Sequence, residues 1–216
     1  MSRPSRYPIP ASTHRASEVI ERSRFTCTLA HAATAAEAQA VIAAVRAEWP
    51  DATHHCTAWV AGPPGSTAQV GMSDDGEPHG TAGRPMLNVL LHSGVGEIVA
   101  VVTRWYGGVK LGTGGLARAY SGAVELALQT LPRAEKVEWA ELVVTVGYAQ
   151  ISAVQHLLPD HEATILAENY GEQVEYRIQV PAPGVEALLR ALADATRGEA
   201  VVTAPPTPDP PPAPSG

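Results

Sequence analysis

The stretch GEIVAVVTRWYGGVKLGTGGLARAYSGAVELALQTLP, residues 96–132, decides the architecture. Its apolar run Ile98–Val102 has the length of a strand and no polar alternation, which predicts a strand buried on both faces. Leu116, Tyr120, Val124 and Leu128 then recur at helical spacing up to Pro132, predicting an amphipathic helix. Between them Gly107, Gly108, Gly112, Gly114 and Gly115 form a loop too rich in glycine for regular structure, whose backbone can approach a ligand closely. A strand, a glycine-rich loop and a helix in that order leave free N–H groups at the helix start, which favours an anion. Arg104, Lys110 and Arg118 supply positive charge around the same loop. The candidate phosphate or RNA site is therefore Arg104, Lys110, Gly112, Thr113, Gly114, Gly115 and Arg118, with Trp105 or Tyr106 available to stack on a base. The run matches neither a Walker loop nor a dinucleotide fingerprint. The plainer alternative is a tight crossover whose cations are solvated or paired with Asp74, Asp75 and Glu77.

Upstream, RSRFTCTLAHA (22–32) alternates toward strand character, and TAAEAQAVIAAVRAEWP (34–50) has helical spacing ended by Pro50. ATHHCTAWVAG (52–62) and TAQVGMSDDG (67–76) are strand-like runs separated by the turn residues PPGS, so a hairpin is predicted. On such a strand His54 and Cys56 share one face and His55 the other, which argues against a metal cluster there. Cys56 is expected to be a small buried hydrophobe rather than a nucleophile.

The segment SDDGEPHGTAGRP (73–85) concentrates charge just before a predicted helix that begins between Thr81 and Pro85 and ends at Gly94. Asp74, Asp75, Glu77, His79 and Arg84 form a candidate acidic turn. Oxygen ligation of a divalent ion or general-base chemistry is one use for it. The alternative is structural, with Asp and Ser satisfying turn amides, Glu77 paired with Arg84, and Thr81 capping the helix. No spaced metal-ligand motif is present, so no metal, cofactor or catalytic residue is assigned.

Residues 136–204 read as strand, helix, strand, strand, helix, strand, the ferredoxin-like order, with Tyr170-Gly171 turning the central hairpin. The last 13 residues, APPTPDPPPAPSG, hold too much proline for a helix or a sheet ladder. The expected organisation is a flexible leader at 1–17, a first domain at 18–134, a second at 135–203 and a disordered tail at 204–216. A net charge of −7 argues against whole-molecule attraction to nucleic acid, so any anion site must be local. Two cysteines make no disulfide framework, and neither a signal peptide nor a membrane-length apolar run is read. A cytoplasmic location and no membrane partner are the corresponding expectations.

The stretches RSRF, DATHHCTAW, SDDGEPHGTAGRPMLNVL and VAVVTRWYGGVKLGTGGLARAYSGAV together resemble the IMPACT family, which includes bacterial YigZ-type proteins. The resemblance covers roughly residues 18–132, and residues 137–203 look like the ferredoxin-like domain that bacterial members append. It implies an α/β (α+β) protein of two domains. The first would be of ribosomal-protein and elongation-factor type with a left-handed βαβ crossover, the second similar to the last domain of translocating elongation factors. The partners it implies are the ribosome, RNA or a translation-associated protein. On these grounds a non-enzymatic, translation-associated factor is expected, with an enzyme acting on a small phosphorylated or anionic metabolite as the alternative.

Overall fold

Cover on both faces of the sheet explains why residues 98–102 lack polar alternation. The structure, a computed structural model, describes residues 6–204 and divides into two units, 1–136 and 137–216. In chain order the first unit contains β1 (Arg6–Pro10), β2 (His14–Ile20), β3 (Ser23–His31), α1 (Ala35–Glu48), β4 (His54–Val60), β5 (Val70–Ser73), α2 (Gly83–His92), β6 (Ile98–Trp105), α3 (Gly112–Gln129) and all but the last residue of β7 (Arg133–Val137). Five strands form one antiparallel sheet in the order β2-β3-β6-β4-β5. Because β3 and β4 are each antiparallel to β6 between them, they run parallel to each other, joined through α1.

Each face of this sheet has its own helical cover. Ile98, Ala100 and Val102 point with Phe25, Cys27, Leu29, Cys56 and Ala58 into a core closed by Met86 and Leu90 of α2 and Leu116, Tyr120 and Val124 of α3. Val99 and Val101 point the other way, onto Ala38, Ile42 and Val45 of α1. Both positions of the strand's two-residue period are thus apolar. Phe25 meets Tyr120 edge to face at 5.3 Å, a geometry worth about 1 kcal/mol beyond burial. α1 begins at Thr34, whose hydroxyl accepts from the Glu37 amide, while the Glu37 carboxylate reaches back to the Ala33 amide.

The leader expected at 1–17 is strand from Arg6 onward. β1 pairs with β7, and β2 forms the edge of the large sheet. Pro8 and Pro10 hide β1, since proline fits only strand edges and ends. β2 alternates between half-buried and exposed positions and so carries little apolar signal. Buried Glu97 sits between these pieces, accepting from the Tyr7 hydroxyl at 2.9 Å and pairing with His31 at 2.6 Å and Lys136 at 3.5 Å.

The second unit contains β8 (Trp139–Val146), α4 (Ile151–Leu157), β9 (Thr164–Tyr170), β10 (Val174–Pro181), α5 (Val185–Thr196) and β11 (Val201–Thr203). Its antiparallel sheet runs β11-β8-β10-β9, the ferredoxin-like order in which the outer strands follow the helices. Val144, Tyr176 and Ile178 pack with Val154, Leu188 and Leu192 in a core of its own. At the central hairpin the Gly171 amide donates to the Gln173 carbonyl. Of the proline-rich tail, residues 205–216 lie outside the described residues. Among the described residues no helix is long and apolar enough to cross a membrane.

Candidate functional site

The glycine-rich segment is partly helical: α3 starts at Gly112, so Gly112, Thr113, Gly114 and Gly115 form its first turn rather than a loop. Gly112 has φ +68°, which a side chain would strain. The N-cap, Leu111, has no side chain able to bond the turn, and that turn contains no acidic residue. The amides of Gly112, Thr113 and Gly114 therefore donate to no acceptor among the described residues. They carry the positive end of an 18-residue helix dipole. Lys110 is exposed beside them and forms no ion pair within the described residues. Gly107 crosses the start of β3 so closely that a Cβ there would lie 2.0 Å from the Arg22 carbonyl carbon, which is why the strand exit is glycine.

A pocket of about 490 Å³ opens at this helix start. Gly112, Thr113, Lys110 and Tyr106 line its exposed side, and Pro78, Leu111 and Leu116 give it apolar walls. Thr53, His54, Glu77 and Arg104 complete it. Glu77 is the hub of the buried part. Its Oε1 accepts from Arg104 Nη1 at 2.5 Å and from the Tyr120 hydroxyl at 2.7 Å, and lies 3.9 Å from His54 Nε2. Arg104, 4% exposed, also donates from Nη2 to Ser23 Oγ, which accepts from the Gly107 amide as well. The Nε of Arg104 has no hydrogen-bond partner among the described residues. His54 Nδ1 donates to the Asp75 carbonyl at 2.8 Å, leaving Nε2 as the acceptor of the neutral ring. Burial holds the Tyr120 hydroxyl well above the ordinary range, and the neighbouring Cys56 and Glu77 charges push the same way.

The acidic turn does other work than expected. Asp74 accepts from the amides of Gly80, Ala82 and Gly83 at 2.7, 3.0 and 2.8 Å, so it, and not Thr81, caps α2. Thr81 Oγ1 donates instead to the Pro78 carbonyl. Asp75 accepts from Arg46 of α1 and from the His55 amide, both at 2.6 Å. Burial alone would raise both aspartates, but these donors outweigh it and hold the carboxyls below the usual range. Glu77 pairs with Arg104 rather than Arg84, which is exposed, as is His79. Among the described residues no group of three His, Cys, Asp or Glu side chains is placed to hold a metal ion. Cys56 is buried, donates from Sγ to the Asp74 carbonyl, and has its thiol pushed up to about 12, first by burial, so it is no nucleophile.

The structure thus unites Arg104, Tyr106, Lys110, Gly112, Thr113 and Glu77 in one pocket. Arg118 and Gly115 line an adjoining depression that shares Lys110 and Leu111. Trp105 is not available for stacking. Its indole donates to Asp51, lies edge-on to Trp49, and carries Arg24 over its ring at 3.8 Å. Tyr106 is 46% exposed, with the Arg104 guanidinium 5.4 Å from its ring centroid on one face and the other face open for stacking. His54, Thr53, Ser23 and Tyr120 belong to the site and were not singled out for it. The face shared by His54 and Cys56 was the one signal that could have placed His54 there.

A two-unit α/β chain whose glycine-rich helix start opens on a buried Glu-Arg-Tyr cluster has recognisable counterparts. Residues 21–128 match the family model of the Impact N-terminal domain, and residues 144–199 match a domain of unknown function, DUF1949. The chain is 47% identical over 190 residues to the IMPACT family member YigZ of Escherichia coli, covering 88% of this chain and 93% of that one. It is 40% identical over 196 residues to an IMPACT family member of Haemophilus influenzae, covering 91% and 95%. A crystal structure of a hypothetical protein, 45% identical, superposes with a TM-score of 0.65 over 93% of this chain and 98% of that one. The chain belongs to the IMPACT family.

Proposed function

We propose that the chain is a translation-associated regulatory factor that binds RNA of the translation apparatus through phosphates held at the start of α3. The observation that carries the anion site is the set of three unbonded amides at Gly112, Thr113 and Gly114, on a helix with no acidic residue in its first turn. Such a helix start attracts phosphate by its dipole and its free N–H groups together. Lys110 beside it and Arg118 one turn along add exposed charge on an otherwise acidic chain. Tyr106 supplies a stacking surface for an unpaired base. The translational setting rests on the family resemblance, and the ligand chemistry rests on the site.

The test is binding of purified chain to ribosomes and to structured RNA across a salt series. Wild type is expected to lose affinity steeply with salt. A Lys110→Ala, Arg118→Ala variant is expected to bind more weakly, with its salt slope shallower by about two. Equal affinity and equal slope for the two proteins would remove the site assignment.

One observation favours a second reading: the pocket is enclosed on its buried side and places His54 beside Glu77, as a site for a small anionic metabolite would. A thermal-shift screen of phosphorylated and carboxylated metabolites separates the two, since a ligand that binds only the folded state raises Tm. A large shift with one such metabolite, together with RNA binding indifferent to Lys110, decides for the enzyme.

A further inference from the structure

The inner end of the pocket presents polar atoms that no described side chain engages, and their chemistry selects a ligand. Glu77 has a side chain only 4% exposed, and both of its donors, Arg104 and Tyr120, sit on Oε1. Oε2 accepts from no described residue. In the neutral ring the one proton is committed through Nδ1 to the Asp75 carbonyl, so His54 Nε2, 3.9 Å from Oε1, is then a second acceptor. Arg104, itself 4% exposed, brings one unbonded donor, Nε–H. Of this cluster only Arg104 Nε is buried without a partner among the described residues, so Oε2 and Nε2 face the pocket's solvent, and a ligand that displaces that solvent must replace its hydrogen bonds. A ligand that satisfies both must present two adjacent donors.

Pro78, Leu111 and Leu116 wall the space with apolar surface and Tyr106 stands at its exposed side, so the ligand is flat and largely apolar in its faces. The free amides of α3 at the same opening ask for a negative group at the ligand's other end. A volume of about 490 Å³ is ample for one nucleotide. Among the bases, guanine alone offers two adjacent donors on one edge, N1–H and the 2-amino group. Adenine and cytosine offer one amino group beside an acceptor, and uracil offers a single N–H between two acceptors.

We propose that the pocket takes the base of one unpaired guanine nucleotide, read by Glu77 Oε2 and His54 Nε2, with its phosphate on the amides of Gly112–Gly114. This deepens the phosphate-binding reading above and rests on it for the placement of the phosphate. Free guanosine monophosphate and an unpaired guanine within single-stranded RNA present the same edge and the same phosphate, and competition between them distinguishes the source.

The experiment is calorimetric titration of the full chain with GMP, AMP, CMP, UMP, inosine monophosphate and guanosine, with a competition arm in which octameric oligo-G or oligo-A RNA displaces bound GMP. GMP is expected to bind at least tenfold more tightly than AMP, CMP or UMP. Inosine monophosphate, which lacks the 2-amino donor, is expected to fall about tenfold below GMP, and His54→Ala to lower GMP affinity while leaving AMP unchanged. Displacement by oligo-G and not by oligo-A assigns the source to RNA, and resistance to both assigns it to free nucleotide. Glu77→Gln is the direct variant. Because it also touches a buried ion pair, the inosine comparison on the wild-type chain carries the test if that variant does not fold. Equal affinities for the four monophosphates, or no binding of GMP, overturn the guanine assignment even if RNA binding through Lys110 persists. Guanosine binding as tightly as GMP leaves base selection standing and overturns the phosphate site instead.

Discussion

Removing Glu77 should expose how the candidate pocket is held together. Among the described residues its carboxylate is the sole anionic partner of Arg104, whose guanidinium is almost wholly inaccessible to water and lies 2.5 Å away. Breaking such a pair by truncating one member leaves a bare charge in the core, which costs about 3–5 kcal/mol. The Tyr120 hydroxyl loses its acceptor in the same step. Glu77→Ala should therefore destabilise the first unit by about 4 kcal/mol. Glu77→Gln keeps an oxygen for Tyr120 and should cost about 2 kcal/mol, the worth of a hydrogen bond to a charged group. The Glu77→Met, Arg104→Met double variant replaces the pair with apolar volume and should recover most of the loss, because no buried charge remains. Urea denaturation followed by tryptophan fluorescence reads this directly, since Trp49, Trp59 and Trp105 all lie in the first unit. A double variant as unstable as the sum of its two singles would refute the reasoning, for it would mean the two side chains do not depend on each other.

Three further outcomes are expected. Asp74, Asp75 and Glu97 all have carboxyls held below the usual range, so their stabilising contribution is full above the unfolded-state values of about 3.9 for Asp and about 4.3 for Glu, and is lost as pH falls through the lower folded-state values. The urea midpoint should accordingly drop below pH 4, and Glu97→Gln should flatten that drop. Asp74→Ala strips three amides at the start of α2 of their acceptor and should cost about 1–2 kcal/mol in the same assay. Gly107→Ala should destabilise by about 3 kcal/mol or prevent folding, because its new methyl group would meet backbone rather than a movable side chain. Unchanged stability in that variant would show that the strand exit shifts freely.

The sequence patterns carried the second unit and most of the first, because strands buried on two faces and helices with one apolar stripe leave periodic traces. Elements at edges left none. β1 holds two prolines, and β2 is nowhere fully buried, so β1 and the first half of β2 read as a leader. The start of α3 was hidden because glycine is the poorest ordinary helix former, and helical packing of Leu116 and Tyr120 extended the helix back over it. The site was legible only as a set of charged types. Arg104 ends an apolar strand, and no local pattern says that it turns inward to Glu77, 27 residues earlier, while Arg84 nearby stays in solvent. Trp105 and Tyr106 are neighbours in sequence, yet alternation along the strand end commits one to Asp51 and turns the other toward Arg104 and solvent.

Consecutive residues Asp74 and Asp75 reach in opposite directions, one to the first amides of α2 and the other to Arg46 of α1 on the far side of the sheet. One tight bend therefore fixes the helical layers above and below the strands at once. Inserting or deleting a single residue in it would offer each carboxylate to the wrong layer, so this bend has no freedom of length even though it lies at the protein's periphery.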